Sequence, residues 1–308
     1  MSSHSSRQAA IDPCALSDLR NLIPPLTSEA HKGQAGRVGI VGGSADYSGA
    51  PFFAAMTSMR LGCDMSFNIC SPDAGHVIKT YSPDLIVMTL LGQEKNDEQL
   101  KDVLRPILGR LHALVVGPGL GRDKHMQTAG RIAIQLAKSQ QLPIVVDADG
   151  LWLLSNEPNL LMGYNNAILT PNVVEFGRLC DALNVDRSNP DTDDAVVALS
   201  KQFGCTILQK GKVDRISNGK QVLHVDAPGS LKRCGGQGDI LSGSLGTFIA
   251  WAQVSPYKDR IEAERRPLLA AFGAALIARA SSRKAFERKK RSMLAHDAID
   301  EVGNAYEE

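Results

Sequence analysis

An α/β fold with a doubly wound, mostly parallel sheet flanked by helices is the class this sequence predicts, on three observations. Short runs rich in β-branched residues alternate with longer stretches of helical spacing. Several of the short runs are apolar without interruption, as strands buried on both faces are. Glycines and acidic residues gather just past the ends of those runs, where ligands bind in open α/β sheets. A chain of 308 residues suffices for one large domain or two ordinary ones. It contains no linker, low-complexity block or repeat. A single domain over residues 31–308 is therefore expected, behind a flexible segment over 1–30.

In chain order, strands are expected at 37–43 (RVGIVGG), 65–70 (MSFNIC), 84–90 (DLIVMTL), 113–117 (ALVVG), 143–147 (PIVVD), 167–170 (AILT) and 205–210 (CTILQK). Helical spacing covers 51–61, 124–140, 172–183 and 192–203. The rim past the strands then carries GGS (42–44), GPGLG (117–121), DADG (147–150), TPN (170–172) and KG (210–211). The longest apolar run, 268–278 (LLAAFGAALIA), is bracketed by Arg266 and Arg279. A membrane span needs about 20 residues, so this run reads as a core helix.

Composition narrows the function. Apolar residues make up 43% and charged residues 22%, the balance of a globular chain. A net charge of +1 argues against nucleic-acid binding, which needs a basic excess. The six cysteines show neither a CxxC pair nor metal-ligand spacing, which suits reduced thiols inside a cell. The first ten residues, MSSHSSRQAA, lack the apolar block of a secretory signal. With a single arginine they resemble a mitochondrial presequence only faintly. A cytoplasmic location is expected, with the mitochondrion as the alternative. The basic stretch 279–291 (RASSRKAFERKKR) reads as a solvated helix face, with a phosphate or nucleic-acid patch as the alternative.

The stretch 233–251, RCGGQGDILSGSLGTFIAW, sets a glycine turn before a helix of small and apolar residues. Leu241, Leu245, Phe248, Ile249 and Ala252 would form its apolar face. Ser242, Gly243 and Gly246 would allow close packing. The free N–H groups of such a turn and the helix dipole make an anion site. Asp239, in the first turn, would be held ionised there. Two readings stay open at this point. One is a phosphoryl-transfer site with Asp239 as base, and the other is a plain turn with Asp239 as cap. No GxxxxGK[ST] occurs, so a P-loop is excluded. Past another strand, Asn172 and Glu175 form N-x-x-E, whose carboxylate suits a hydrated Mg²⁺.

An N-x-x-E after one strand and a G-x-G-D opening a late helix resemble the ribokinase-like superfamily. The match narrows through six ordered motifs: 32–55 (KGQAGRVGIVGGSADYSGAPFFAA), 115–123 (VVGPGLGRD), 145–154 (VVDADGLWLL), 169–179 (LTPNVVEFGRL), 208–214 (LQKGKVD) and 232–246 (KRCGGQGDILSGSLG). Together they resemble the ATP-dependent NAD(P)H-hydrate dehydratases. That family removes water from NADHX and NADPHX, the hydrated forms of the reduced nicotinamide cofactors. The resemblance implies a ribokinase-like fold, Mg²⁺, ATP as co-substrate, and an NAD(P)HX epimerase on a separate chain. CGGQGD is similar to the ATP-using branch, whereas ADP-using bacterial members read closer to G-T-G-D.

Roles follow from the matching motifs. Asp239 resembles the family's base and contacts the substrate hydroxyl. Gly235, Gly236, Gln237 and Gly238 resemble its anion hole, with Gly236 and Gly238 central to it. The ATP site is expected over Gly229, Ser230, Leu231, Lys232, Arg233, Cys234 and that glycine turn. A second ATP-contacting stretch is expected at Lys210, Gly211, Lys212, Val213 and Asp214. Gly119, Asn172, Val173, Val174, Glu175, Phe176, Gly177 and Arg178 resemble the hydrate-binding surface, and Glu175 would also order Mg²⁺. Plainer roles stand beside these: an ordinary turn for GPGLG and a surface cation for Arg178. Asp147 and Asp149 are expected in turn and helix-capping roles, with metal binding as the alternative. The rival functions are a small-molecule kinase of the same superfamily and a nucleotide-binding protein without turnover.

Overall fold

A computed structural model describes residues 12–190 and 192–308. The MSSHSSRQAA leader lies outside the described residues. In chain order the elements are α1 (Pro13–Arg20), β1 (Arg37–Val41), α2 (Gly49–Leu61), β2 (Met65–Ile69), α3 (Pro72–Tyr81), β3 (Ile86–Met88), α4 (Asp97–Leu108), β4 (Ala113–Val116), α5 (Lys124–Ser139) and β5 (Ile144–Val146). They continue with α6 (Asp149–Asn156), β6 (Ala167–Leu169), α7 (Val173–Ala182), α8 (Asp194–Phe203), β7 (Thr206–Gln209), β8 (Asp214–Ser217), β9 (Val222–Val225), α9 (Gln237–Val254), α10 (Arg266–Lys289), α11 (Ala295–Asp300) and α12 (Val302–Tyr306).

Nine strands form one sheet in the order β3-β2-β1-β4-β5-β6-β7-β8-β9. Pairing is parallel from β3 through β7, and antiparallel from β7 to β8 and from β8 to β9. The order reverses between β1 and β4, which creates the crevice where doubly wound folds hold ligands. All seven expected strands form. The expected run 84–90 is trimmed to three residues because only Ile86–Met88 pair with β2. The two antiparallel strands were not foreseen.

Most of the parallel strands feed two cores. In β4, Ala113 and Val115 point to the side covered by α1, α2, α9 and α10, while Leu114 and Val116 face α4 through α8. A strand buried on both faces alternates between two apolar surroundings, so its sequence shows no polar period. The helix after the glycine turn is enclosed almost completely: every residue from Asp239 to Ala252 is buried. It lies between the sheet and the pair α2 and α10, as an all-apolar helix must.

Packing begins ahead of residue 31. In the segment expected to be flexible, Pro13–Arg20 is helical, with Asp12 accepting from the N–H groups of Cys14 and Ala15. Ala15, Leu19 and Leu22 are buried in the core that α10 shares. Beyond Arg279 the helix α10 runs on to Lys289, so most of the basic stretch is helical as expected.

One close approach sets the spacing of α2 and α9. A Cβ added at Gly243 would lie 2.2 Å from the carbonyl oxygen of Ala54, a backbone atom that cannot step aside. Gly243→Ala should therefore cost about 1–3 kcal/mol by overpacking and lower the melting temperature by several degrees. Gly303 in α12, whose added Cβ would meet nothing within 4 Å, serves as the control. Gly303→Ala should leave the melting temperature unchanged or slightly raised, and equal melting temperatures for the two variants would contradict the packing argument.

Candidate active site

The sequence-predicted rim is one continuous structure. Past β1, the N–H of Gly43 donates to the carbonyl of Gly119 at 3.0 Å, and the Ser44 hydroxyl donates to the same oxygen at 3.1 Å. GPGLG and GGS thus meet across the β1/β4 reversal. Past β6 and β7, the N–H of Lys210 donates to the carbonyl of Pro171 at 2.8 Å.

At the centre, Lys210 Nζ donates to Asp147 Oδ1 at 2.9 Å and stands 3.8 Å from Glu175 Oε2. Asp147 is 2% exposed, and its Oδ1 also accepts from the Thr170 hydroxyl at 2.8 Å. A cation from β7 therefore meets carboxylates past β5 and at the start of α7. Burial works against the charge on Lys210, but Asp147, Glu175 and Asp239 together raise its pKa above the ordinary lysine value.

The glycine turn docks α9 onto this centre. Gly236 is the N-cap residue at φ +94°, and an added Cβ would sit 2.4 Å from the Ala295 Cβ, so only glycine fits. A Cβ built on Gly238 would lie 3.8 Å from both Asp147 Oδ2 and Lys210 Nζ. No side chain caps this helix, so its first-turn N–H groups remain available to a ligand. The Gln237 amide donates to the carbonyl of Lys232 at 3.1 Å, and the Ser230 hydroxyl donates to that same carbonyl at 2.9 Å. These bonds fold 230–237 into a compact loop, with Leu231 at its exposed tip.

Asp239 is buried in the first turn of α9. Here the electrostatics correct the sequence expectation of a carboxylate held ionised. Burial pushes the Asp239 pKa well above the ordinary carboxylate value, and the Asp147 charge adds to the rise. Lys210 opposes both without cancelling them.

Asn172 and Glu175 form a reciprocal capping box at the start of α7. Asn172 Oδ1 accepts from the N–H groups of Val174 and Glu175, and Glu175 Oε2 accepts from the Asn172 N–H at 2.8 Å. Glu175 thus has a structural duty beside any cation. Burial raises its pKa, against the pull of Lys210. Val173 and Val174 are exposed, whereas Phe176 and Gly177 are buried. Exposed Arg178 lies over the Trp152 ring with its guanidinium carbon 5.5 Å from the centroid; Arg122 covers the same ring at 4.5 Å. Asp149 is the first residue of α6 and accepts from the Gly121 N–H at 3.0 Å. Its role here is in a turn and a helix start. Asp147 instead pairs with Lys210, which sequence reading did not foresee.

Among the described residues, no three His, Cys, Asp or Glu side chains cluster as a metal cage. Mg²⁺ seldom uses such a cage, since it binds through one or two carboxylates, its own waters and substrate phosphates. Two carboxylates around one ammonium, beside a free helix terminus, fit that mode.

A mostly parallel nine-stranded sheet flanked by helices, with a buried carboxylate in the first turn of a glycine-capped helix at its rim, has the ribokinase-like architecture. Solved structures agree on the fold. A ribokinase-like superfamily protein from Enterococcus faecalis superposes with TM-score 0.75 at 19% identity, covering 94% of this chain and 93% of that one. The ADP/ATP-dependent NAD(P)H-hydrate dehydratase from Bacillus subtilis, co-crystallised with ATP/Mg²⁺, superposes with TM-score 0.68 at 19% identity, covering 94% and 95%. The family model for NAD(P)H-hydrate dehydratase matches residues 38–304. A protein from Mycosarcoma maydis named ATP-dependent (S)-NAD(P)H-hydrate dehydratase is 53% identical, covering 95% of this chain and 87% of that protein. The human protein of that name is 46% identical, covering 94% and 82%. This chain belongs to the NAD(P)H-hydrate dehydratase family, whose members are lyases.

The raised Asp239 pKa has a consequence for stability. A carboxyl group whose folded pKa lies above its unfolded value costs nothing while protonated in both states, below the unfolded pKa. The cost appears as pH rises through the folded pKa. Asp239→Asn removes that cost. The variant should melt above the wild type at neutral pH, and the gap should close as pH falls below the ordinary carboxylate range. A gap that stays constant with pH would show that Asp239 is not under this strain.

Proposed function

We propose that this chain catalyses the ATP-dependent dehydration of the S forms of NADHX and NADPHX, with Asp239 as the base. The observation that carries the reading is the burial of Asp239 beside Lys210 and Asp147, at a helix terminus with free N–H groups. Family membership and the activity named for the relatives support it.

The hydroxyl of the hydrated ring attacks the γ-phosphorus of ATP, and its proton passes to the Asp239 carboxylate. The new O–P bond replaces the one to ADP. The N–H groups of the Gly235–Gly238 turn and the dipole of α9 stabilise the charge on the transferred group. The ring nitrogen then expels phosphate with its bonding pair, and loss of a proton from the adjacent ring carbon restores the double bond. Phosphate is a far better leaving group than hydroxide, which is why a nucleotide is consumed. A base with a raised pKa accepts the proton more readily, provided it is ionised at the working pH.

Gly229 to Gly238 and Lys210 to Asp214 would bind ATP, while Gly119 and Asn172 to Arg178 would bind the hydrate. Their separate places on one rim suit a transfer between two ligands. Mg²⁺ would be ordered by Glu175, with Asp147 close by, and would supply neutralisation of the phosphate charge. We place the enzyme in the cytoplasm, served by an epimerase on another chain. Free cysteines agree with that compartment, and no described helix is long and apolar enough to cross a membrane.

The test is recovery of reduced-nicotinamide absorbance from NADHX with ATP or with ADP. ATP should give the faster repair, and equal rates or an ADP preference would overturn the assignment to the ATP-using branch. Asp239→Asn should lower kcat by about 10²–10⁴, the usual worth of a general base, while ATP affinity survives. A near-wild-type kcat would remove Asp239 from the base role.

Glu175→Gln isolates the cation. Glutamine completes a capping box as glutamate does, so melting should be nearly unchanged. The Mg²⁺ concentration needed for half-maximal activity should rise several-fold. An unchanged Mg²⁺ titration would place the cation on other groups.

A further inference from the structure

Among the cations of the basic stretch at the end of α10, Arg279 is the most enclosed, and Ser281, Ser282 and Ala285 near it are buried. Arg279, on α10, directs its guanidinium into the gap between the two segments proposed to bind ATP. Its Nε donates to Asp214 Oδ2 at 2.7 Å, and its Nη1 donates to the carbonyl of Ala227 at 2.8 Å. Its Nη2 donates to the carbonyls of Gly211 and Lys212, both at 3.0 Å. The other oxygen of Asp214 accepts from the Gly211 N–H at 2.9 Å, closing the turn. The stem passes beneath the next segment, since a Cβ built on Gly229 would lie 3.8 Å from Arg279 Cγ. Both charged side chains are largely enclosed, at 15% and 9% exposure.

From this geometry we infer that Arg279 is a positioning residue for the nucleotide, an inference that rests on the ATP-site reading above. It holds the 211–214 turn and the chain entering the glycine loop at a fixed separation. It also sets the direction of the turn's donors. A trans peptide places each C=O opposite the following N–H, and the chain has no cis peptides among its described residues. Drawing the Gly211 and Lys212 carbonyls toward Arg279 therefore turns the N–H groups of Lys212 and Val213 the other way, free for an anionic ligand. The planar guanidinium fork makes these four bonds at once. A lysine ammonium cannot reproduce that geometry.

The test compares KM for ATP, KM for NADHX, ATP affinity by calorimetry and melting temperature. Arg279→Lys should raise KM and Kd for ATP about tenfold or more, with kcat at saturating ATP and KM for NADHX changing less than about threefold. A merely structural arginine would shift the melting temperature and leave this split absent. Asp214→Asn keeps the acceptor for Gly211 but removes the charge facing Arg279. It should raise KM for ATP as well. If Arg279→Lys does not fold, Arg279→Gln, which keeps one amide donor but loses the fork, replaces it. That variant should show the same rise in KM for ATP with KM for NADHX little changed, whereas an unchanged KM for ATP would overturn the role. Gly238→Val, in the glycine turn itself, reports on the reading beneath. If Gly238→Val loses ATP while folded Arg279→Lys or Asp214→Asn binds it normally, the role of Arg279 is overturned alone. If Gly238→Val also binds ATP normally, the ATP site lies elsewhere and both statements fall.

Discussion

A single partly buried ammonium organises the rim of this molecule. Lys210 meets Asp147 at 2.9 Å and Glu175 at 3.8 Å, and its charge is felt at Asp239. An enclosed carboxylate such as Asp147 is tolerable only when paired and hydrogen-bonded, and Lys210 with Thr170 supplies both conditions. The pairing crosses β6, so it forms only when β5, β6 and β7 are in register, with Val146 beside Leu169 and Leu169 beside Ile207. A slip of one residue would turn these side chains toward a helical layer. The same contact at the centre of the rim thus constrains the sheet beneath it.

The helix α9 must satisfy two demands at once. It is packed between sheet and helices, which needs small, apolar residues, and it must deliver its first turn onto the Lys210–Asp147 pair. Gly236 and Gly238 permit that delivery, the first by its backbone and the second by leaving space. The helix dipole alone would favour an ionised Asp239, an effect worth about 0.3–1 kcal/mol at an exposed terminus. Desolvation of an ionised group costs several kcal/mol. Burial wins, so the carboxyl pKa rises rather than falls.

Much of the fold and part of the site could be read in the sequence, for a physical reason. Strands buried on both faces read as short apolar runs, and β1, β4, β5, β6 and β7 have that form, while β2 alternates Ser66 and Asn68 with apolar residues. The antiparallel strands DRIS and VLHV do not have it. Asp214 is buried there only because Arg279, 65 positions later, neutralises it. Composition cannot reveal such a partner, and a run of seven basic residues hid the one that points inward. The helix α1 was lost for a similar reason, since its few apolar residues gain meaning only against α10. The rim was legible because glycines and carboxylates at strand ends have little structural use elsewhere. What the sequence withheld was the pairing across distance: Lys210 with Asp147, and Glu175 with the Asn172 N–H.

Charge balance gives these pieces a common logic. Three carboxylates, Asp147, Glu175 and Asp239, face one ammonium and one helix terminus. With all three ionised, the centre would repel a polyanionic nucleotide. Burial relieves part of this by raising the pKa values of Asp239 and Glu175, and the divalent cation proposed above would relieve the rest. The nucleotide's own charge then completes the balance instead of opposing it. On the reading proposed above, a cation and a nucleotide arriving together would balance the remaining charge better than either alone. It also leaves Asp239 as the one carboxylate with no salt-bridge partner or capping duty, and so the one free to take a proton.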